Sequence, residues 1–299
     1  MKPVISILSV LISLTLISCG KVIPDRDPTT VKMNLTVSSE KWVTVPAGPF
    51  KAGLSEHEVI IEKPFEIMVT EVTYLQYSRY LNEALAAKKI EIRDKEVFGF
   101  YKGDAFNKGR HEIEVPAGKY KYYDLGGQKC RINFDGTTFT VTKGYENFPV
   151  AYVSWMGAQA YALHYGWRLP LEEEWEKAAR GTDGRSYPFK EEPTPHNANF
   201  YHSGDPFDKS NGTTPVGFYN GKTHGDFHTE DSPSPYGCYD MAGNVAEWMG
   251  TIIKGSHLRH IFGGSMVEYD FNLRSWTENS GMPWYTSHQV GFRCARNVR

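Results

Sequence analysis

From residue 42 onward, the spacing of the hydrophobic residues changes along the chain. Each type of spacing predicts a different secondary-structure element. Residues 42–53, WVTVPAGPFKAG, indicate a strand that ends in a Gly/Pro turn, and strand-like runs lie on both sides of Pro64. Thr73 and Gln76 then have the spacing of a capping box, and apolar residues recur at helical spacing to about Leu85. We therefore expect short strands followed by one helix.

The pattern after this helix is different, because charged and aromatic patches alternate with glycine turns over residues 86–147. Within this stretch INFDGTTFTV has the pattern of a hairpin about an Asp-Gly turn. We expect a β-rich insertion here, without visible chemistry. Residues 148–181 return to helical spacing, where Ser154 suits an N-cap and three glutamates after Pro170 favour the start of another helix.

The first residues, MKPVISILSVLISLTLISCGK, have the pattern of an export signal. The apolar run over residues 4–18 is too short for a bilayer span of ~20 residues but suits a signal-peptide core. Its end at Cys19 resembles a bacterial lipobox, which implies cleavage after residue 18 and lipid attachment (diacylglycerol, and palmitate as an acyl group) to Cys19. An ordinary signal peptide and a buried N-terminal helix are the alternatives.

This reading divides the chain into a signal peptide at 1–18, the lipidated Cys19 with a flexible tether at 19–41, and a domain at 42–299. It places the protein in the bacterial cell envelope as a lipoprotein held to a membrane by its anchor. In bacterial lipoproteins an aspartate directly after the lipidated cysteine favours the inner membrane. The residue here is Gly20, which indicates transport across the periplasm to the outer membrane.

Composition narrows the function further. A net charge of −2 gives no electrostatic basis for binding nucleic acid. Besides Cys19, the chain has Cys130, Cys238 and Cys294, which allow at most one disulfide and leave one thiol over. No CxxC or Cys/His cluster is present, so a structural zinc site is not expected.

Several separated motifs resemble the formylglycine-generating enzyme (sulfatase-modifying factor) family. They are PVAYVSW, GWRLPLEEEWEKAARG, TTPVGFY, SPYGCYDMAGNVAEW, FGGS and VGFRCAR, in that order. VPAGPFKAG and FEIMVTEVTYLQY match the N-terminal part of the family, so the resemblance covers roughly residues 42–296. The resemblance implies an α+β fold: one domain with a C-type-lectin-like core and little regular secondary structure. The family includes enzymes and proteins without known activity, so a shared fold does not fix the function.

The resemblance also implies two calcium sites. Ca²⁺ takes about 6–8 oxygen ligands, commonly carboxylates and loop carbonyls. In the family the DMAGNVAE motif binds calcium through positions that are Asp240, Gly243, Val245 and Glu247 here. The second family site corresponds to four further positions, with Asp205 as a competing choice for the carboxylate: Asn199, Phe200, Asp208 and Ser210. Turns whose carboxylates cap backbone amides are the alternative to both.

The copper-binding cysteines of the formylglycine-generating members have no counterpart in this sequence. In those members two cysteines five residues apart follow the Gly-Gly-Ser motif and bind Cu(I), which soft thiolates select. Aligned on Gly263-Gly264-Ser265, the two positions are Glu268 and Leu273. We therefore expect no copper-dependent formylglycine generation.

Other residues offer weaker indications of a site. Glu268, Tyr269 and Asp270 occupy the region where the family keeps its reactive groups, and they are the catalytic candidates. With Trp276, Trp284 and Tyr285 they could line a cleft for a peptide or glycan, although a packed core explains the tryptophans as well.

Two histidine pairs leave iron open as a cofactor. His224 and His228 lie near Asp226 in a polar loop and have the composition of a non-heme iron triad, but a solvated loop explains them too. His257 and His260 precede the Gly-Gly-Ser motif and are a similar, weaker pair.

Taken together, the sequence favours a calcium-stabilised binding or scaffold lipoprotein that recognises an envelope protein, peptide or glycan. The alternatives are an oxidoreductase or maturation enzyme of the pyoverdine-maturation type that needs no cysteines, and a formylglycine-generating oxidase that acts on a protein cysteine.

Overall fold

The computed structural model describes residues 25–106, 112–190 and 192–298. The predicted signal peptide, Cys19 and the first part of the predicted tether lie outside these residues. Among the described residues, no helix has both the length and the apolar character needed to cross a bilayer.

The described part of the chain contains three α-helices and many short strands. The helices are α1 (Tyr74–Ala86), α2 (Trp155–His164) and α3 (Glu172–Arg180). The strands are β1 (Trp42–Val45), β2 (Gly48–Ala52), β3 (His57–Ile61), β4 (Phe65–Met68), β5 (Ile90–Arg93), β6 (Glu96–Tyr101), β7 (Gly118–Asp124), β8 (Ile132–Phe134), β9 (Phe139–Val141), β10 (Thr223–His224), β11 (Phe227–His228), β12 (Ala246–Ile252), β13 (Arg259–Phe262), β14 (Asn279–Gly281), β15 (Val290–Gly291) and β16 (Ala295–Asn297). This arrangement confirms the α+β class with little regular secondary structure.

The predicted helix starts are confirmed by their caps. The Thr73 hydroxyl accepts the amide N–H of Gln76, whose side-chain oxygen accepts the amide N–H of Thr73 in return. The Ser154 hydroxyl accepts the amide N–H of Gly157 at 3.1 Å. Helix α3 has no polar residue at its N-cap, so a glutamate in its first turn serves instead. Glu174 accepts the amide N–H of Leu171 at 2.9 Å and pairs with Arg168.

Two sheets organise the domain. In the first, β4 lies between β1 and β16, with both pairs antiparallel, so the two ends of the domain meet. In the second, the order is β14-β13-β12-β15, and β12 pairs parallel with β15. The largest hydrophobic core lies between α1, α2 and the second sheet, and a smaller one surrounds Trp175 of α3. The second sheet matters most for the candidate site, because parts of three family motifs lie on it: the end of SPYGCYDMAGNVAEW on β12, the start of FGGS on β13 and the start of VGFRCAR on β15.

The expected β-rich insertion forms a three-stranded antiparallel sheet, β5-β6-β7, followed by the β8-β9 hairpin. The hairpin turn includes the predicted Asp135-Gly136 pair. Ser78 and Asn82 of α1 donate to the Phe139 carbonyl at 3.1 and 2.9 Å. The insertion is therefore attached to the first helix by polar as well as apolar contacts.

The tether predicted over residues 19–41 ends earlier than the sequence indicated. Pro28 and Val31 are buried, and the Asn34 amide donates to the ring of His224. Short polar segments have no periodicity of their own, so the packing of this one depends on distant residues that a local pattern does not show.

Candidate functional site

An open cleft lies on the second sheet, beside the Gly263-Gly264-Ser265 turn. Its volume is about 340 Å³, and a smaller cavity of about 170 Å³ adjoins it. The two share four lining residues: Ala246 of β12, Ile261 of β13, Asn279 of β14 and Glu268. Neighbouring strands therefore form the floor of the cleft, and Glu268 is the carboxylate that faces both parts of it.

Glu268 is held in place by the turn that precedes it. Its carboxylate accepts the amide N–H of Ser265 at 2.9 Å. Burial raises the pKa of this carboxyl, while the hydrogen bond from Ser265 opposes the shift. The hydroxyl of Ser265 is buried and has no hydrogen-bond partner. The cleft thus contains a carboxyl with a raised pKa and an unpaired hydroxyl on the neighbouring turn.

The two residues that align with the copper-binding cysteines of the family, Glu268 and Leu273, lie in different surroundings. Glu268 faces the cleft, whereas Leu273 is fully buried and packs with Tyr187, Ala198 and Ala242. A leucine side chain offers no lone pair to a metal. Neither of these two side chains can supply a thiolate.

The three described cysteines are all free, and none lines the cleft. Burial raises the pKa of Cys238 to about 11, and burial also raises the pKa of Cys130 and of Cys294. A thiol with a raised pKa stays protonated at neutral pH and is a poor nucleophile and metal ligand.

The aromatic residues expected beside Glu268 are only partly brought together. Trp284 and Tyr285 line the cleft and are 37% and 46% exposed. Trp276 does not line it, because its ring packs under the Arg180 guanidinium at 4.6 Å.

Tyr269 and Asp270, the next two residues in sequence after Glu268, do not line the cleft either. Tyr269 is exposed and packs on Tyr201 and Phe271, and Asp270 accepts the amide N–H of Phe271 at the start of a 3-10 helix. Of the three catalytic candidates, Glu268 alone lines the cleft.

Alternation along β12 sends Glu247 to the opposite side from Ala246. The Glu247 carboxylate is fully buried, and its two oxygens accept from Nε and Nη2 of Arg293 at 2.8–3.0 Å. The indole N–H of Trp175 donates to the same carboxylate at 2.9 Å. The sequence motif grouped Glu247 with calcium, but in the structure an arginine and an indole supply its contacts.

A second buried carboxylate lies beside the predicted calcium loop, and the sequence pattern gave no sign of it. Glu71 is fully buried, and Asn244 donates to its Oε1 at 3.0 Å, while its Oε2 has no hydrogen-bond partner. Burial and the nearby Asp240 raise the pKa of Glu71, and burial raises the pKa of Asp240 to about 6. Glu71, Asp240 and Glu247, which we call the carboxylate cluster, therefore share one arginine.

The cluster has three carboxylates and one arginine, and a bound cation would balance this excess of negative charge. Glu71 and Asp240 lie within hydrogen-bonding reach of each other, so either a proton shared between them or a cation on that side of the cluster would relieve their repulsion, whereas the oxygens of Glu247 are already paired. Gly243 brings the two predicted calcium loops together, since a Cβ there would lie 2.0 Å from the Asn199 carbonyl oxygen. Among the described residues, no group of three or more His, Cys, Asp or Glu side chains has the geometry of a metal site.

The second predicted calcium loop also fits in part. Asn199 is buried and its Oδ1 has no hydrogen-bond partner, as a ligand oxygen without its metal would have. The Ser210 carbonyl, however, accepts from the ammonium of Lys129. Asp208 opens a short 3-10 helix, and the Phe200 carbonyl accepts the amide N–H of Ser203. The competing candidate Asp205 is buried and accepts from Ser203 and Phe207.

Neither histidine pair is assembled as a site in the structure. The ring of His224 is fully buried and already has two partners, the Asn34 amide and the Phe218 carbonyl, and burial lowers its pKa. His228 is exposed. His257 lies between Asp104 and Glu112, at 2.8 and 3.1 Å, where it joins the insertion to the second sheet. His260 lies 3.2 Å from Glu172.

The chain belongs to the family of sulfatase-modifying factor enzyme 1-like domains, whose sequence model matches residues 28–298. The formylglycine-generating enzyme of Thermomonospora curvata is 41% identical over 111 residues, which are 34% of this chain and 33% of that enzyme. The inactive C-alpha-formylglycine-generating enzyme 2 of Bos taurus is 34% identical over 161 residues, half of each chain. The chain therefore spans between a third and a half of these two relatives.

The fold agrees with that assignment. The crystal structure of CarF has a TM-score of 0.55 at 25% identity, and the match covers 87% of this chain and 98% of that one. The expected family resemblance is thus confirmed in sequence and in fold.

Proposed function

We propose that this chain is a calcium-stabilised binding protein of the bacterial envelope, anchored through Cys19, that lacks copper-dependent formylglycine-generating activity. The observation that carries the proposal is the pair Glu268 and Leu273 at the positions of the copper-binding cysteines. One is a hard oxygen ligand and the other is a buried hydrocarbon, so Cu(I) has no thiolate pair to bind. The similarity to a relative described as inactive supports the same reading.

The cleft has the chemistry to hold a peptide or a glycan. Trp284 and Tyr285 present large, partly exposed ring faces, on which a sugar or an apolar side chain can pack. Glu268 provides a carboxylate between them and the turn, able to accept from hydroxyl or amide groups. Ala246, where the family usually has tryptophan, leaves the floor of the cleft open.

Calcium would be held by loop oxygens near the carboxylate cluster. Asp240 with the carbonyls of Gly243 and Val245 would bind one ion, with Glu71 as an additional carboxylate. Asn199 would contribute its unpaired oxygen at the second loop. A bound ion would stabilise these loops by binding only the folded state, and it would take no part in chemistry.

The direct test offers the protein a Cys-x-Pro-x-Arg peptide with Cu(I) and oxygen, followed by mass spectrometry of the peptide. We expect no conversion, with the enzyme of Thermomonospora curvata as the positive control. Binding is then measured by screening acetylated peptides and envelope oligosaccharides against the wild type, W284A and E268Q. A ligand whose affinity falls in both variants supports the proposal, and peptide conversion would overturn it.

One observation favours a second function. Burial raises the pKa of Glu268, so an open cleft contains a carboxyl that holds its proton more tightly than usual, as a general acid or base does. An oxidoreductase without cysteines could use it so, with a redox metal or another oxidant. Oxygen consumption or a bound redox metal that is lost in E268Q would favour this function over simple binding.

A further inference from the structure

The β-rich insertion and helix α2 enclose another cavity, which we call the insertion groove. Its volume is about 770 Å³, and it shares no lining residue with the Glu268 cleft. Pockets of ~300–1,000 Å³ are typical of sites for small organic ligands. The groove is therefore large enough for a ligand of its own.

The walls of the insertion groove include several large apolar side chains that are exposed to solvent. Phe98 and Phe100 of β6 contribute one wall, and Leu163 of α2 contributes to the other. Phe100 and Leu163 are 64% and 63% exposed, which is unusual for side chains of this size. Ile252 at the end of β12 extends the same surface and is 38% exposed. Covering these side chains would remove a contiguous apolar patch from water.

Two polar groups of the walls are already paired within the protein, whereas the buried Nδ1 of His164, which also lines the groove, has no hydrogen-bond partner. The hydroxyl of Tyr122 donates to the Phe100 carbonyl at 2.6 Å, and the indole N–H of Trp155 donates to the Met249 carbonyl at 2.7 Å. Strand β6 has β5 on one side and β7 on the other, so its backbone is paired as well. These walls suit a hydrocarbon chain better than a peptide, which would leave its backbone groups unpaired.

The rim of the groove is positively charged. Four lysines line it, against one glutamate, Glu91, which is paired with Lys119. Lys88, Lys89 and Lys102 are exposed and form no ion pair within the described ranges. Three ammonium groups without a carboxylate partner beside an apolar channel complement an anionic head group on an apolar tail.

We propose that the insertion groove binds a long-chain fatty acid, with its acyl chain between β6 and α2 and its carboxylate at the lysine rim. Single-chain carboxylates have the shape and charge that the groove offers, and the protein would bind them as monomers. The site depends on the insertion and is independent of the Glu268 cleft.

The test is fluorescence titration of the purified full chain with cis-parinaric acid, a fluorescent fatty acid. We expect saturable binding of one molecule and displacement by palmitate. L163D places a charge in the apolar wall and removes an apolar contact with the acyl chain. It should therefore weaken binding at least about tenfold. L54D is the matched control, because Leu54 is 78% exposed on the β2–β3 turn and should have no effect.

The lysine rim is tested by K88E/K89E against K41E/K63E, which changes the net charge equally at exposed lysines elsewhere. The first pair should weaken fatty-acid binding about fivefold, and binding of the uncharged fatty alcohol should not change. Absence of saturable binding would overturn the proposal, as would equal losses in L163D and L54D. A fatty alcohol that binds as tightly as the acid would overturn the role of the lysines.

Discussion

The two faces of strand β12 contribute to different features of the molecule, a buried ion pair and the cleft. On one face Glu247 is fully buried and bound to Arg293 and Trp175, all three from motifs that the family shares. On the other face Ala246 borders the cleft that Glu268 lines, whereas Leu273 is buried away from it. Two adjacent residues of one strand therefore contribute to different features, Glu247 to a buried ion pair and Ala246 to the cleft.

The difference shows why membership in this family does not determine activity. The residues of the buried face stabilise the fold only together. Removing one of them would leave a buried charge without its partner, which lowers the free energy of unfolding. On the cleft face Ala246 is also buried, but it borders the open cleft and takes part in no ion pair. Function can therefore change on one side of a strand while the fold persists through the other.

The largest expected effect comes from breaking the buried face. R293M removes the partner of Glu247 and leaves it charged beside Glu71 and Asp240, so the free energy of unfolding should fall by about 3–5 kcal/mol. Denaturation in urea measures this change.

R296M is the matched control for that experiment. Arg296 also pairs with a glutamate, Glu66, at 2.8 Å, but both side chains are partly exposed. Its loss should cost about 1 kcal/mol or less. Equal losses in the two variants would contradict the claim that the Glu247 pair stabilises the interior.

A smaller effect is expected from the charge imbalance in the carboxylate cluster. The pKa of Asp240 is raised to about 6 in the folded protein from 3.8, so the folded state binds the proton more tightly than the unfolded state. Without calcium, the wild type should therefore lose stability relative to D240N as pH rises from 4 to 7, by roughly 2 kcal/mol. Thermal and urea unfolding across this range measure the difference.

Calcium sharpens the same experiment. If the ion binds at Asp240 and Glu71, millimolar calcium should remove most of the penalty in the wild type and should not affect D240N. A difference between the two proteins that stays constant with pH and does not respond to calcium or EDTA would refute this account of the cluster.

The smallest change in stability is expected on the cleft face. A246W restores the aromatic residue usual in the family and fills the floor of the cleft, so ligand affinity should fall at least about tenfold. The free energy of unfolding should fall by only about 1 kcal/mol, the low end for adding a large side chain at a buried position, because Ala246 borders the open cleft. I252W, at the other end of β12, should leave cleft binding intact, and equal losses would show that the cleft is not the binding site.

Much of the fold could be predicted because it depends on local signals. The Thr73–Gln76 and Ser154 caps, the Asp-Gly hairpin and the family motifs all lie within a few residues of the elements they define. The packed segment from residue 28 to 41 could not be predicted, because its contacts, such as Asn34 with His224, join residues far apart in sequence.

The site was predictable to a similar extent. The motif alignment pointed to Glu268, and Trp284 and Tyr285 line the cleft with it, while the absence of copper chemistry stays a prediction. Trp276 could not be separated from them, because stacking on Arg180 depends on the position of α3. Glu71 gave no signal, since a single glutamate in a strand-like run has the appearance of a surface residue until the fold buries it.

The most direct test of this account is elemental analysis of the protein purified without chelator, for calcium, copper, iron and zinc together. The account predicts roughly one or two calcium ions per chain and no stoichiometric redox metal. Stoichiometric copper or iron would contradict it, because the fold would then still support redox chemistry, with Glu268 as the first residue to substitute.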